Sequence, residues 1–436
     1  MLQKVIYILL FLAISSPTNF SQNYWDRIPS PTDNFLRTLH FADSLRGWVA
    51  GDSGVVFYTS DGGLSWTKQQ TNTTNKIMRL FFLDDNRAWG LAWADFISTD
   101  HLFYGTEILK TTNGGNDWTV EQYREEGSFL RGIYFLDTLK GFMGGVPGKF
   151  LITTDGGLNW TPANIDSGAF SHFPVIDFKF YNDQYGFACG GRFDIAGVVW
   201  KTTNAGESWA PIDGQYSTAD EIWEIHYFDS MNVIGIGGDP DQFGVGMIRS
   251  SDAGETWSYY EVGVFGQALG ASFRTESEGW AVVPNSESFV ATFDFAENWV
   301  QYTSPDSSKL YDIVFTDSLT GYAVGEEGVI VKYKYQIPNF VENEINFASE
   351  DFELYPNFPN PFNPYTKIKF MLSSPAKVKI SVYNVLGIKI TTLLDEYKTS
   401  GNYELQWNAE DKPSGVYYVH LEVNSRLKTQ KMVLLK

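Results

Sequence analysis

The chain has 436 residues, enough for two or three domains, and its 16% aromatic content with 40 glycines is typical of an all-β protein. A formal net charge of −20 argues against non-specific binding to nucleic acid or to anionic lipid. The one cysteine, Cys189, excludes an intramolecular disulfide and a cysteine-based zinc site, and we expect it to be a small buried residue of a strand.

The N-terminus predicts a secretory signal peptide over residues 1–21. Lys4 supplies a positive charge, residues 5–14 form a continuous apolar run, and Ser21 with Gln22 offers a cleavage region. The apolar run is too short for a membrane-spanning helix, and no later stretch is long enough. We therefore expect no transmembrane segment after removal of the signal.

A repeated turn motif dominates the middle of the chain. Six segments fit the pattern Ser/Thr-x-Asp/Asn-x-Gly-x-x-Trp, the sixth loosely, and successive tryptophans are 52, 42, 49, 48 and 42 residues apart. Such a period is typical of one four-stranded propeller blade. Because the Asp/Asn side chain can accept backbone N–H groups and Gly permits positive φ, we predict that these positions are structural and not catalytic. They are Asp61, Trp66, Asn113, Trp118, Asp155, Trp160, Asn204, Trp209, Asp252, Trp257, Asp294 and Trp299.

Seven such units can be counted, and the chain predicts how their ring closes. The seventh unit has three strands and no turn motif, whereas Trp25 lies 16 residues before Phe41, as Trp66 lies 16 residues before Phe82. We therefore predict that residues 25–28 supply the missing strand of a seven-bladed β-propeller over residues 22–335. The predicted ends of the seven first strands are Phe41, Phe82, Phe135, Phe180, Phe228, Phe273 and Phe315.

Residues 22–335 resemble the sialidase-type propellers, in which this turn is called the Asp-box. More narrowly they resemble the propellers of photosystem II assembly factors, because residues 47–66, 141–160 and 321–330 repeat the succession Gly-aromatic strand, Gly-x-Ile/Val-type strand and Asp-box, the last range only in part. The resemblance implies a propeller fold. It does not imply one activity, since propellers host many.

The C-terminal part differs in character from the propeller. Residues 336–352 predict a linker, and residues 353–436 carry 11 Lys/Arg and 7 Asp/Glu, a net charge of +4 that leaves −24 for the rest. Short alternating strands punctuated by glycines predict a small Ig-like β-sandwich over residues 353–436.

This part resembles the type A sorting domain of the type IX (Por) secretion system. Matching motifs lie in order at residues 359–363, 382–387, 414–418 and 431–436. The resemblance implies recognition by an outer-membrane translocon, leaves room for removal by a sortase-like peptidase, and implies a secreted or outer cell-surface location reached via the periplasm.

Variable loops on one face of the propeller predict a ligand site. They hold aromatic residues, carboxylates and an arginine, which suit an extracellular glycan or protein ligand. We predict no cofactor, no metal site, no catalytic residue and no nucleic-acid partner. The predicted ligand-binding residues are Trp93, Asp95, His101, Tyr104, Arg192, Asp194, Asp239 and Asp241.

We expect a non-enzymatic propeller for ligand binding or scaffolding, and two alternatives stay open. One is an extracellular glycoside hydrolase of the sialidase or xyloglucanase type, which a carboxylate pair facing one pocket with raised pKa values would favour. The Arg27-Ile28-Pro29 segment is similar to sialidases, but we interpret Arg27 as part of the closing strand. The other alternative is an envelope protein assembly factor.

Three arginines lie in predicted first strands, which line the channel of a propeller. Arg37 and Arg131 stand four residues before the strand-end Phe, and Arg79 is one position off. They predict either a basic patch at one channel mouth or, as we favour, ion pairs with nearby acids.

Overall fold

The computed structural model of the chain describes residues 24–94, 105–168, 171–192, 195–212, 221–241, 243–334, 352–384, 388–423 and 426–436. The predicted signal peptide and nearly all of the predicted linker lie outside these residues. The chain divides into two compact units between residues 337 and 338. None of the helices in the described ranges is long and apolar enough to cross a membrane.

The first unit contains seven four-stranded antiparallel sheets within its described residues, which are the blades of a propeller. The first strand of the chain, β1 (Trp25–Ile28), belongs to the last blade, and the next six blades each use four consecutive strands. Blades 1 to 3 consist of β2 (Leu36–Phe41), β3 (Gly47–Gly51), β4 (Val56–Thr59) and β5 (Thr67–Gln69); β6 (Lys76–Phe82), β7 (Ala88–Trp93), β8 (Thr106–Thr111) and β9 (Thr119–Gln122); and β10 (Phe129–Phe135), β11 (Gly141–Val146), β12 (Lys149–Thr153) and β13 (Thr161–Pro162).

The remaining blades follow the same plan. Short 3-10 turns at Asp52–Gly54, Pro284–Ser286, Pro305–Ser307 and Glu326–Gly328 connect some of the strands. Blades 4 to 7 consist of β14 (Val175–Phe180), β15 (Gly186–Arg192), β16 (Ala196–Thr202) and β17 (Ala210–Pro211); β18 (Ile222–Tyr227), β19 (Val233–Asp239), β20 (Gly244–Ser250) and β21 (Ser258–Glu261); β22 (Gly270–Phe273), β23 (Gly279–Val283), β24 (Ser288–Thr292) and β25 (Val300–Thr303); and β26 (Leu310–Phe315), β27 (Gly321–Gly325) and β28 (Ile330–Tyr333) with β1.

The predicted closing strand is confirmed. β1 pairs antiparallel with β28 from Trp25 opposite Tyr333 to Ile28 opposite Ile330. Trp25 is only 2% exposed, and its ring stacks on Phe289 of blade 6 at 4.8 Å. The closing strand therefore joins the last blade to its neighbour by side-chain packing as well as by backbone hydrogen bonds.

One predicted strand end is wrong by one residue. β18 ends at Tyr227, which stands opposite Val233 as Phe41 stands opposite Gly47 in blade 1. Phe228 follows the strand and packs against Phe273 of the next blade. The sequence misled because two aromatic residues are adjacent and either fits the pattern.

The Asp-box turns share one hydrogen-bond pattern. In all six, the Asp or Asn Oδ1 accepts the backbone N–H four residues later, at 2.9 Å between Asp61 and Ser65 and at most 3.1 Å elsewhere. The Ser65 hydroxyl and backbone N–H hold the pKa of Asp61 down at about 2. A carboxylate held ionised in this way has no proton to donate as a general acid. Cys189 is fully buried in β15, as expected.

The second unit is a two-sheet sandwich. A three-stranded sheet has the order β29-β30-β33, a four-stranded sheet has the order β32-β31-β34-β35, and residues of both share one core that includes Phe370, Val378 and Leu421. The buried side chain of Phe352 belongs to this core. The domain therefore begins at least one residue before its predicted start at residue 353. The strands are β29 (Phe352–Leu354), β30 (Tyr365–Leu372), β31 (Ala376–Asn384), β32 (Lys389–Lys398), β33 (Gly401–Asn408), β34 (Gly415–Val423) and β35 (Arg426–Leu434).

Candidate binding site at the channel mouth

The innermost strands of the blades carry an irregularity at a shared register. In six first strands the pairing with the second strand shifts by one residue, and the residue at the shift stands four before the strand-end aromatic residue. A bulge of this kind leaves one residue outside the ladder and re-aims its side chain. With Leu269, which precedes β22 in blade 6, these residues line one cavity and are here called the mouth ring: Arg37, Met78, Arg131, Ile176, Trp223, Leu269 and Tyr311.

The residue after each bulge forms a second ring, here called the channel layer. Its polar members line a second cavity of about 210 Å³ that extends down the channel. The mouth ring holds two arginines and no acid, whereas the channel layer holds one arginine and three acids. The channel layer consists of Thr38, Arg79, Gly132, Asp177, Glu224, Gly270 and Asp312.

Arg131 has the most distinctive surroundings at the mouth. Its guanidinium lies 4.0 Å from the ring centre of Trp223 and 5.6 Å from that of Trp93. Within the described ranges, no carboxylate oxygen lies within 4.0 Å of it. The arginine therefore lies over two aromatic rings with no described carboxylate in ion-pair contact, and the attraction of the π faces stabilises its charge.

The other two channel arginines pair with acids, as favoured from the sequence. Arg37 forms a two-contact ion pair with Asp52, whose Oδ2 lies 3.2 Å from Nη2, and it stacks over the Phe35 ring at 3.9 Å. Arg79 donates to Asp177 at 2.5 Å. Arg131 alone of the three departs from this expectation among the described residues.

Burial changes the acid–base behaviour of these groups. It lowers the pKa of Arg131 to about 10, with Arg79 and Arg37 acting in the same direction against Glu221. It raises the pKa of Glu224 to about 8, helped by the nearby Asp177. Arg131 therefore keeps its charge at neutral pH, whereas burial favours the protonated form of Glu224.

Asp312 and Glu224 differ in their hydrogen bonding. Asp312 accepts the backbone N–H groups of Leu39 at 3.0 Å and of Ile313 at 2.9 Å, while burial still raises its pKa. The ammonium of Lys179 lies 4.0 Å from a Glu224 oxygen. Two carboxyl groups with raised pKa values thus line one cavity.

Of the predicted ligand-binding residues, Trp93 reaches the mouth ring. It is half-buried at the end of β7, contacts Phe129 edge-on, and donates from Nε1 to the Leu130 carbonyl at 2.6 Å. This fixed indole forms one side of the Arg131 arrangement.

The other predicted residues do not join this arrangement. Arg192 is exposed at the end of β15, and Asp241 is exposed in the turn after β19. Asp239 is buried and accepts the Asp241 N–H at 2.7 Å, a contact that stabilises the turn. Asp95, His101, Tyr104 and Asp194 lie outside the described residues.

Apolar side chains are exposed on the face opposite the Asp-boxes. They come from the turns between second and third strands of blades 3 to 5 and from the connection into blade 6. Phe265 is 62% exposed, and its backbone lies beside Gly244, next to the exposed Phe243. The four residues are Val146, Ile195, Phe243 and Phe265.

The sequence contains a signal for the whole mouth ring. Arg37 and Arg131 share one register, four residues before the strand-end Phe, and the same count back from the strand-end residue gives every other member. Because the predicted end of β18 is off by one residue, the count misses Trp223, which is four residues before Tyr227 and five before Phe228.

In the described part of the chain, no group of three His, Cys, Asp or Glu residues is arranged to hold a metal ion.

Comparison with known proteins identifies the C-terminal unit. Residues 356–435 match the family described as the secretion system C-terminal sorting domain. This unit belongs to that family. The sorting domain indicates export by the type IX system to the cell surface or the medium.

The propeller is homologous to photosystem II assembly factors. The photosystem II assembly lipoprotein Ycf48 of Picosynechococcus sp. is 25% identical over 338 residues, covering 75% of this chain and 92% of that protein. A solved structure of YCF48 bound to D1 peptide is 18% identical and covers 72% of this chain and 98% of that one, with a TM-score of 0.55. The predicted resemblances to photosystem II assembly-factor propellers and to the secretion sorting domain are thus confirmed.

A carbohydrate-active enzyme shares the fold. The GH74 xyloglucanase of Xanthomonas campestris is 11% identical and covers 80% of this chain and 59% of its own, with a TM-score of 0.55. At such identity the likeness concerns the propeller fold alone.

Proposed function

We propose that the exported propeller is a non-enzymatic binding or scaffolding protein that holds a segment of another protein at the mouth ring. The observation that carries this proposal is the Arg131 guanidinium, which lies over the rings of Trp93 and Trp223 and has no described carboxylate oxygen within 4.0 Å. Arginine and tryptophan are the residue types that most often dominate binding energy at protein interfaces.

The surroundings of Arg131 favour a peptide over a small polar molecule. The mouth-ring cavity measures only about 90 Å³, so it can take a side chain or a chain terminus but not a whole ligand of ordinary size. The exposed apolar residues Phe243 and Phe265 on the same face offer contact area for further side chains. A carboxylate of the bound segment would pair with Arg131 by a two-point hydrogen bond.

The relatives are consistent with this proposal. Their names describe assembly factors, and one solved relative carries a bound peptide. By analogy, the envelope-assembly alternative is one form of the proposed function, in which the bound segment belongs to a client protein.

A glycoside hydrolase is the second candidate, because Glu224 and Asp312 line one cavity with raised pKa values. Two features of the channel weigh against it. The cavity of about 210 Å³ is below the size of an ordinary ligand pocket. Asp312 also accepts two backbone N–H groups, which fix it as part of the channel wall.

The test uses the purified full chain against a displayed peptide library and a polysaccharide panel, with binding and release of reducing sugar both measured. We expect peptide binding that weakens at least tenfold in Arg131→Ala. Arg46→Ala is the matched control, because Arg46 lies on the Asp-box face and pairs with Asp43 and Asp85.

Other outcomes would overturn parts of the proposal. Peptide binding that is equal in Arg131→Ala and the native chain would rule out the mouth ring as its site. Sugar release that disappears in Glu224→Gln would make the protein a hydrolase.

A further inference from the structure

Phe358 of the sorting domain is exposed although its backbone is held in place. Phe358 is 75% exposed, although its N–H donates to the Lys367 carbonyl at 3.0 Å and its carbonyl accepts the Lys367 N–H at 2.9 Å. An exposed aromatic residue in a mobile loop would be unremarkable. Here both backbone polar groups of Phe358 are hydrogen-bonded to Lys367 of β30, so the side chain is presented in one place.

The residues around Phe358 have internal roles that Phe358 lacks. Asn357 donates to the Thr366 hydroxyl at 2.8 Å, and Asn360 accepts the Val433 N–H at 2.8 Å. Phe362 is 2% exposed and packs against Trp407. The segment is thus fastened to both sheets by its other side chains, and folding does not explain why position 358 is a large aromatic residue.

Phe358 extends a surface formed by the outer face of β30. Tyr365, Lys367 and Lys369 are exposed there and alternate with buried residues. Directly opposite residues of an antiparallel pair project to the same face, which places Phe358 beside Lys367. We name Phe358, Tyr365, Lys367 and Lys369 the export face.

The export face is basic as well as aromatic. Lys367 and Lys369 share a single carboxylate, that of Glu404, at 2.8 Å and 3.3 Å. Two ammonium groups on one carboxylate leave an excess positive charge beside Phe358. The sorting domain as a whole carries +4 against −24 for the rest of the chain, so an acidic partner surface is attracted to this unit and repelled by the other.

We infer that the export face is the surface by which the sorting domain docks on the type IX secretion machinery, in an apolar pocket rimmed by carboxylates. The inference rests on the proposed export of the chain and names the contact that export requires. Phe358 fills the pocket, and the two lysines orient the domain by pairing with its rim.

The test measures export of the full chain in a bacterium with a working type IX system, as the ratio of extracellular and surface protein to periplasmic protein. We expect Phe358→Ala to lower this ratio at least tenfold and Lys367→Glu to lower it as well. Tyr397→Ala is the matched control, since Tyr397 is 70% exposed on β32 of the other sheet. Thermal unfolding of each purified variant checks that the domain is folded.

The possible failures can be told apart. If Phe358→Ala is exported at the native level while removal of residues 356–435 blocks export, the export face is wrong and the proposed export stands. If Tyr397→Ala fails as badly as Phe358→Ala, the docking surface is not the one named. If removal of residues 356–435 leaves export unchanged, export through this domain is itself wrong.

Discussion

The hydroxyl group that opens each Asp-box turn is as important to the turn as the aspartate. The Oγ1 of Thr59 accepts the Gly63 N–H at 2.9 Å and donates to Asp61 at 2.8 Å. All six turns repeat the first of these contacts with a Thr or Ser. In the sixth turn it survives although Ala296 replaces the glycine and takes a φ of 63°.

We expect Thr59→Val to lower the free energy of unfolding by about 1–3 kcal/mol, because the isosteric change leaves the buried Gly63 N–H without an acceptor. Thr67→Val is the control, since Thr67 is exposed at the start of β5. Denaturant unfolding of both variants measures the difference. Equal stability of the two would show that water replaces the lost acceptor.

The pattern of residue types predicted these turns well because the turn chemistry is local. It predicted Arg131 poorly, because the contact with Trp223 joins residues 92 positions apart in blades 3 and 5. A local sequence pattern does not show which aromatic side chains of other blades will contact an arginine in the channel. That contact depends on the tertiary structure of the closed propeller.

At the scale of the strand, closure by β1 is the element most open to test. Trp25 contacts the ring of Phe289 across the blade boundary and that of Tyr333 within its own blade. We expect Trp25→Ala to lower the free energy of unfolding by about 3–5 kcal/mol, the usual cost of removing a large buried aromatic side chain.

Arg27→Ala is the control on the same strand. Arg27 is half-exposed, and its ion pair with Asp306 among the described residues spans 3.9 Å, so we expect a change within about 0.5 kcal/mol. Chemical denaturation followed by tryptophan fluorescence compares the two variants. A decrease in the free energy of unfolding below about 1 kcal/mol for Trp25→Ala would mean that β1 separates from β28 before the rest of the propeller unfolds.

The elements themselves were largely predictable because the unit repeats. The constant spacing of 16 residues between a strand-4 Trp and the next strand-end Phe predicted the position of β1, although β1 pairs with a strand some 300 residues away. Register within a strand was less secure, as the end of β18 shows, because alternation alone cannot choose between two neighbouring aromatic residues. The bulges were beyond prediction, since they depend on how seven strands crowd around one axis.

At the scale of the whole molecule, titratable groups buried within the propeller contribute to the pH dependence of stability. Burial lowers the pKa of His40 to about 4 and of His226 to about 3, so the unfolded chain binds more protons there and stability gains from rising pH up to about 6.5. Glu224 acts in the opposite direction, with Asp312, because the native state keeps protons that the unfolded chain has released.

We therefore expect stability to fall between about pH 6.5 and 8, at up to about 1.4 kcal/mol per pH unit for Glu224. Glu224→Gln should remove most of this fall, since it takes away the group whose native pKa is raised. Urea unfolding at the two pH values measures the effect, with the exposed Glu207→Gln as control. An unchanged slope in Glu224→Gln would assign the titration to another group.

The order of the parts along the chain has a consequence for incomplete synthesis. The ring needs β28 to receive β1, and the sorting domain follows β28. A chain whose translation stops before the end of the propeller therefore lacks both β28, the strand that pairs with β1, and the sorting domain. The C-terminal position of the sorting domain thus restricts export to full-length chains, because a polypeptide that carries the domain already contains the strand that pairs with β1.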